Sequence, residues 1–422
     1  MPHFVRLLTH CGAVGRLREV APGAARQGSL RDRTVAELRR SGSSTRAELA
    51  RRLGTSRSTM GLLVGELLRE GVLTQLAEHP VGQAVRSGRP GVRVTLDPRR
   101  GAAVGIEFGH RHVQAVVCDL GHTVLAEERR ELPLGHDAEH GTEAAAALLE
   151  DLLARAEVPR EQVVGVGLGL PGPVDRTTGM ATPSSASMGW VGVPAAALLA
   201  ARVGRPVLVD NDANLGARAE LLWGAGRAVR DFVYVKLATG VGAGIVVGAQ
   251  VLGGVVGAAG EIGHLTVDEA GRVCRCGNRG CLEGLVGAGR LLELLRPSHG
   301  ELTVEQLCAL VAAGDRGARR VVADAGATLG GAVADVVNIL NPALVVVGGE
   351  LAATGEVLLG PVRQAVARRA VHVAAEHVRV VPGLLGARAE ALGAVALVLQ
   401  ESDRYVAVPG GAPPGPHGDV AP

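Results

Sequence analysis

One histidine and three cysteines stand close enough in this sequence to hold a metal ion. They are His264, Cys274, Cys276 and Cys281, within Gly260-Glu261-Ile262-Gly263-His264 and Cys274-Arg275-Cys276-Gly277-Asn278-Arg279-Gly280-Cys281-Leu282-Glu283. One imidazole and three thiolates make a closed tetrahedral set for zinc, with no position left for water, so a structural metal is expected. The interleaved glycines permit the tight turns that bring three sulfurs together. The alternative, unrelated reduced cysteines, fits poorly with three of them in eight residues. Glu261 and Glu283 flank the ligands and would be fixed near the metal loop without binding it.

A second stretch with chemical potential is Asp210-Asn211-Asp212-Ala213-Asn214, which follows a buried strand and opens a helix. Its side chains read equally well as helix caps or as partners of sugar hydroxyls. Asp212 is also placed to act as a general base on a hydroxyl. Two glycine runs, Thr239–Gly244 and Gly348-Gly349, sit at strand ends. Such turns let backbone amides approach phosphates, and they are common wherever a turn needs positive φ.

The elements that must position these groups alternate from Gly101 onward. Ala102–Glu107, Val113–Cys118 and Thr123–Glu128 read as successive strands, and Thr142–Ala154 as a helix. Strands Val163–Leu168 and Val207–Val209 follow, then a helix from about Ala213. Phe232–Leu237 and Ala243–Val247 are further strands, and a long helix over 316–338 precedes strand Leu344–Val347. This alternation predicts an α/β body, long enough for two lobes.

The front of the chain differs. Residues 1–100 carry 18 arginines against 8 acidic residues, while the remainder holds 26 basic and 34 acidic ones. A basic front on an acidic body predicts a polyanion-binding arm. Leu30, Val35 and Leu38 line a first helix. Thr45 and Glu48 form a capping box for a second, over 46–53, which Gly54 ends. Thr55 or Ser56 caps a third helix, with an apolar stripe of Leu63, Val64, Leu67 and Leu68. Its polar start, Ser56, Arg57, Ser58 and Thr59, is the part that a helix-turn-helix presents to base edges. Runs Val72–Leu76 and Val92–Leu96 can pair as a wing. Between them, Arg86 and Arg89 beside Gly88 and Pro90 read either as a minor-groove hook or as a basic linker. The chain therefore divides into a disordered leader (1–28), a DNA-binding winged helix-turn-helix (29–98), a two-lobed body (101–400) with its metal loop at 264–281, and a disordered tail (402–422).

The first residues lack the apolar block of a signal peptide, and no uninterrupted apolar run is long enough to cross a bilayer. A reduced, cytoplasmic setting without a membrane partner is expected, and Cys11, Cys118 and Cys308 read as isolated thiols.

Taken together, these motifs resemble the ROK family (repressor, open reading frame, kinase), in particular its xylose- and N-acetylglucosamine-repressor type. The resemblance covers about residues 30–400. It rests on the His-x9-Cys-x-Cys-x4-Cys spacing, on Asn211-Asp212-Ala213-Asn214, on Leu170-Pro171-Gly172-Pro173-Val174-Asp175 and on the Gly-Glu-Ile-Gly-His run. It implies an actin-like sugar-kinase fold behind a winged helix. It also implies sugar contacts from Asn211, Asp212, Glu261, His264 and Glu283, with His264 using one ring nitrogen for zinc and the other for a sugar hydroxyl. ROK kinases hold nucleotide phosphate with an Asp-x-Gly-Gly-Thr turn. Here that stretch is Glu107-Phe108-Gly109-His110-Arg111, a longer carboxylate followed by two bulky side chains. Sugar binding is expected to persist while ATP and Mg²⁺ are not expected to be used, and Asp212 becomes a vestigial base.

The function this implies is a sugar-responsive transcriptional regulator, a repressor of carbohydrate genes. Its partners would be a double-stranded DNA operator and a small sugar or sugar-phosphate effector, and it would work as a homodimer or homotetramer. An ATP-dependent sugar kinase with an appended DNA-binding domain is the alternative. A constitutive DNA-binding scaffold ranks third.

Overall fold

The computed structural model describes residues 29–76, 92–176, 178–182 and 188–401. The expected leader and tail, and the segment that carries Arg86 and Arg89, lie outside these residues.

Local chemistry sets the first helices. The Ser29 hydroxyl accepts from the Asp32 amide, and the Asp32 carboxylate returns to the Ser29 amide, starting α1 (Leu30–Ser41). After β1 (Ser43–Thr45), Thr45 and Glu48 close the capping box of α2 (Arg46–Leu53), and Gly54 ends it at φ 66°, ψ 39°. Ser56, rather than Thr55, caps α3 (Arg57–Arg69). Leu38, Leu49, Met60, Val64 and Leu67 meet at the centre of this unit with no measurable exposure. Strands β2 (Leu73–Gln75) and β3 (Arg93–Leu96) pair antiparallel, and β1 adds an unforeseen third strand on the other side of β3.

The body holds two five-stranded sheets. The first runs β4 (Ala102–Phe108), β5 (His112–Asp119) and β6 (Val124–Glu131) as an antiparallel meander. After α4 (Ala138–Arg155), strand β7 (Val163–Leu170) returns parallel to β4. Helix α4 begins four residues before the predicted Thr142, because the Asp137 side chain caps it. A small hairpin, β8 (Val174–Asp175) with β9 (Met180–Ala181), and α5 (Ala195–Val203) lead to β10 (Val207–Asn211), giving the order β10-β7-β4-β5-β6. Helix α6 (Asp212–Leu222) follows without a break.

The second sheet has the order β13-β12-β11-β14-β15, from β11 (Phe232–Leu237), β12 (Val241–Val247), β13 (Gln250–Val251), β14 (Leu344–Gly348) and β15 (Arg379–Pro382). Its inserted helices are α7 (Glu283–Val286), α8 (Ala288–His299), α9 (Val304–Ala312) and α10 (Arg316–Leu340), with α11 (Glu356–Arg369) and α12 (His372–His377) before β15. Helix α10 is long and apolar enough, by length and composition alone, to cross a bilayer. Here its buried face, including Leu329, Val333 and Val337, packs into the core of this second lobe.

Helix α13 (Ala389–Glu401) ties these parts together. Its Ala394 and Leu397 meet Leu215 of α6. Its Leu392, Val395 and Leu399 share one core with Leu38, Met60 and Val64 of the front unit. The fit is backbone-close: a Cβ at Gly393 would stand 1.9 Å from the Leu215 carbonyl oxygen, and one at Gly105 would stand 2.0 Å from that of Ala391. Only glycine allows approaches of this kind.

Candidate functional site

Between the two sheets lies a cavity of about 750 Å³ that Asn211, Asp212, Glu261, His264 and Glu283 all line, although they come from β10, α6, the metal loop and α7. The strand-to-helix junction at 210–214 splits by role. Asn211 caps α6, accepting from the amides of Ala213 and Asn214, while its own amide donates to the Gly172 carbonyl at 2.8 Å. Asp212 opens toward the cavity. Asp210 and Asn214 do not: Asp210 faces Arg218 and Arg176, and Asn214 donates to Asp210 in the interior. Of this stretch, only Asn211 and Asp212 line the cavity.

The metal loop assembles as a donor set. The Nδ1 of His264 and the three Sγ atoms all lie within 4.8 Å of one another. Cys274 Sγ is 3.7 Å from Nδ1, and Cys276 Sγ is 3.7 Å from Cys281 Sγ. Zinc–sulfur bonds of about 2.3 Å in a tetrahedron give a sulfur–sulfur edge of about 3.8 Å, so these side chains fit one tetrahedral ion. The loop also needs glycine: at Gly280, with φ 64°, a Cβ would stand 1.5 Å from the Asp268 carbonyl oxygen. His264 presents its other nitrogen, Nε2, to Glu261 at 3.7 Å on the cavity side. Burial and the charges of Asp212 and Glu283 push the Glu261 carboxyl up to about 7. Glu283 accepts from the Val241 amide and pairs with Arg275, which lies between two of the cysteines.

The stretch in place of the phosphate turn is rebuilt with side chains. Glu107 is buried, 3.0 Å from His112 Nε2. Burial pushes its carboxyl up, but Lys236 and His112 outweigh that and hold it at about 2. His110 and Arg111 line the same cavity. Burial, aided by Arg275, holds the His110 imidazole below its ordinary value, favouring the neutral form. The glycine run is largely strand: Gly242 and Gly244 belong to β12, and a Cβ at Gly244 would stand 2.5 Å from the Ala213 carbonyl oxygen. That residue serves close packing of α6 rather than a phosphate turn.

Two residues escaped the sequence reading. Lys236 of β11 reaches Asp212 at 2.9 Å, Glu107 at 3.6 Å and Glu390 at 3.9 Å. Glu390, in the first turn of α13, also accepts from the Tyr234 hydroxyl at 3.0 Å. Each carried a signal, since a lone charge in an otherwise apolar strand or helix must be paired if buried. In the front unit, Arg57, Ser58 and Thr59 are exposed at the start of α3, whereas the Ser56 hydroxyl is taken up by capping.

The pattern of the ROK family matches residues 103–401. The chain is similar to a putative xylose repressor of Caldicellulosiruptor sp. (strain Rt8B.4), 31% identical over 371 residues that span 85% of this chain and 92% of the relative. Its fold resembles a ROK family transcriptional regulator, a homologue of the E. coli MLC protein, at TM-score 0.70 and 22% identity over 87% of this chain and 97% of the other. It also resembles a ROK family glucokinase from Streptomyces griseus, solved with glucose and AMPPNP, at TM-score 0.64 and 27% identity over 70% and 99% of the two chains. With a match that runs through both sheets and the cleft between them, the chain belongs to the ROK family.

Proposed function

We propose that this chain is a sugar-responsive transcriptional repressor. In this reading α1–α3 and β1–β3 form a winged helix-turn-helix on an operator of double-stranded DNA, and the inter-sheet cleft takes a sugar or sugar phosphate. The observation that carries it is α13. One helix puts Glu390 into the cleft and packs against α1 of the front unit, sharing one core with Leu38, Met60 and Val64. A ligand that prefers one arrangement of the cleft can then bias the front unit through a shared core. Relatives that bear the name xylose repressor align over 84–85% of this chain and support the same reading.

Within the cleft, Asp212, Glu261, Glu283 and the Nε2 of His264 are the sugar contacts, with Asn211 holding the Pro171-Gly172 turn beside them. Zinc is the metal that the loop would hold, a structural ion that fixes His264 for its ligand. The protein works in the cytoplasm as a dimer at least, because two heads are needed to read a two-fold operator.

The test is a gel shift on the DNA upstream of the protein's own gene, with a panel of sugars and sugar phosphates. Binding should be sequence-selective, and one ligand should release it. Arg57→Ala should weaken binding and lower the salt slope by about one. Absence of selective binding would sink the proposal. The second reading, an ATP-dependent sugar kinase, draws on the likeness to glucokinases; ADP release at ordinary kinase rates over the same panel would establish it.

A further inference from the structure

We propose that Lys236 is the residue that makes this cleft a receptor rather than a phosphoryl-transfer site, by standing as a built-in cation where a magnesium nucleotide would need free carboxylates. The inference rests on the repressor reading and explains how a kinase-like cleft serves it.

The geometry is specific. Both oxygens of Asp212 are engaged, Oδ1 by the Ala213 amide at 2.7 Å and Oδ2 by the Lys236 ammonium at 2.9 Å. A general base must have a lone pair free and must gain a proton as the hydroxyl attacks. An acceptor of a sugar hydroxyl needs only one of the carboxylate's remaining lone pairs. Asp212 thus keeps lone pairs for a sugar hydroxyl, while taking up that hydroxyl's proton would cost it the ion pair with the Lys236 ammonium at 2.9 Å. Glu107, at the position of the metal-side carboxylate, is engaged likewise: Oε2 by His112 and Oε1 facing Lys236 at 3.6 Å. Magnesium requires oxygen ligands turned toward it and room for its waters. Here the oxygens face an ammonium, and His110 and Arg111 fill the turn beside them. The residues present do not fit a magnesium nucleotide.

The sequence provides for this lysine. Gly242 lies directly opposite Lys236 on β12 and Gly348 opposite it on β14, so no cross-strand side chain faces it, and the space over Gly348 is taken by the Tyr234 ring. The ammonium is fully compensated by Asp212, Glu107 and Glu390. Burial alone would lower its proton affinity, and the three carboxylates more than reverse that.

The experiment uses the full chain and magnesium with a non-hydrolysable ATP analogue as the probe, read by calorimetry. One variant repairs the turn alone (Glu107→Asp, His110→Gly, Arg111→Thr), and a second adds Lys236→Thr. The first should show no magnesium-dependent binding. The second should bind about tenfold tighter or better, since a fixed positive charge at contact distance has been removed. Because Lys236→Thr strands three carboxylates, the comparison is repeated with Lys236→Met plus Glu390→Gln, which removes one carboxyl group together with the ammonium. Melting curves identify the variant that keeps its fold. Equal probe binding with and without Lys236, or magnesium-dependent binding to the turn-repaired chain that retains it, overturns the proposal. Sugar-driven release of the wild-type chain from its upstream DNA is measured separately; its failure removes the repressor reading while the nucleotide comparison stands.

Discussion

Removing one metal ligand should loosen the sugar site without unfolding the lobe that carries it. Cys276→Ala is the informative change. Cys281 is only 2% exposed, so its truncation would add a packing defect, whereas Cys276 is partly exposed. His264→Ala would delete a cavity-lining group together with a metal ligand. The ligands bracket the loop from His264 to Cys281, and cross-linking a loop near 15 residues restricts the unfolded chain by about 3 kcal/mol. That is the stabilisation at stake for the loop. It does not extend to the rest of the lobe, whose core centres on Val233 and Val345 of the sheet and Leu329 and Val333 of α10, with only Ile262 and Leu282 joining it from beside the loop. Backbone pairs also persist without metal: the Val267 amide donates to Gly280, and the Leu282 amide to Leu265, both at 2.9 Å.

What a bound metal would fix is the His264 ring, which has Nδ1 toward the sulfurs and Nε2 toward Glu261. Arg275, which orients Glu283, sits within the same loop. Groups that orient a ligand through a metal shell typically matter by about 10–100-fold. The expected result is loss of bound zinc, a small fall in melting temperature, and a midpoint for sugar-driven DNA release that rises by about 10–100-fold. Zinc is measured by mass spectrometry and release by gel shift. A zinc-free Cys276→Ala protein that responds to sugar at the wild-type midpoint refutes the reasoning.

Two further predictions concern the frame around the cleft. Gly393→Ala drives a methyl group into the Leu215 backbone, 1.9 Å from its oxygen, and should destabilise the protein by about 1–3 kcal/mol in chemical denaturation. Gly360→Ala, with nothing within 4 Å, should stabilise it by up to about 1 kcal/mol, and equal effects at the two sites would contradict the packing of α13. Glu107, held at about 2 against a usual 4.5, favours the folded state above the higher value, and that contribution of about 3 kcal/mol fades as pH falls toward the lower one. The stability gap between wild type and Glu107→Gln should therefore close between those two pH values, with metal-ligand protonation common to both proteins; a gap that stays constant would refute the assignment.

How much of this was legible in the sequence depends on whether the deciding interaction is local. Thr45 with Glu48 and the turn at Gly54 are three-residue events, and their residue types announce them. The metal loop is nearly local, since three of its four donors lie within eight residues. That Glu261, His264 and Glu283 line one cavity with Asn211 and Asp212 was visible only through family resemblance, because Asp212 and Glu283 are brought together by sheet order and not by spacing. Lys236 marks the boundary. As a lone lysine in Phe232–Leu237 it signals a need for partners if buried, but nothing nearby says whether it is buried or which partners it meets. Its partners come from β4, α6 and α13, so its charge acquires a role only when the second sheet closes on the first and α13 passes between them. The degraded phosphate turn could be seen residue by residue. The engagement of Asp212 could not, and it bears more directly on catalysis, because a repaired turn would still face a carboxylate that must give up its ion pair with Lys236 to take up a proton.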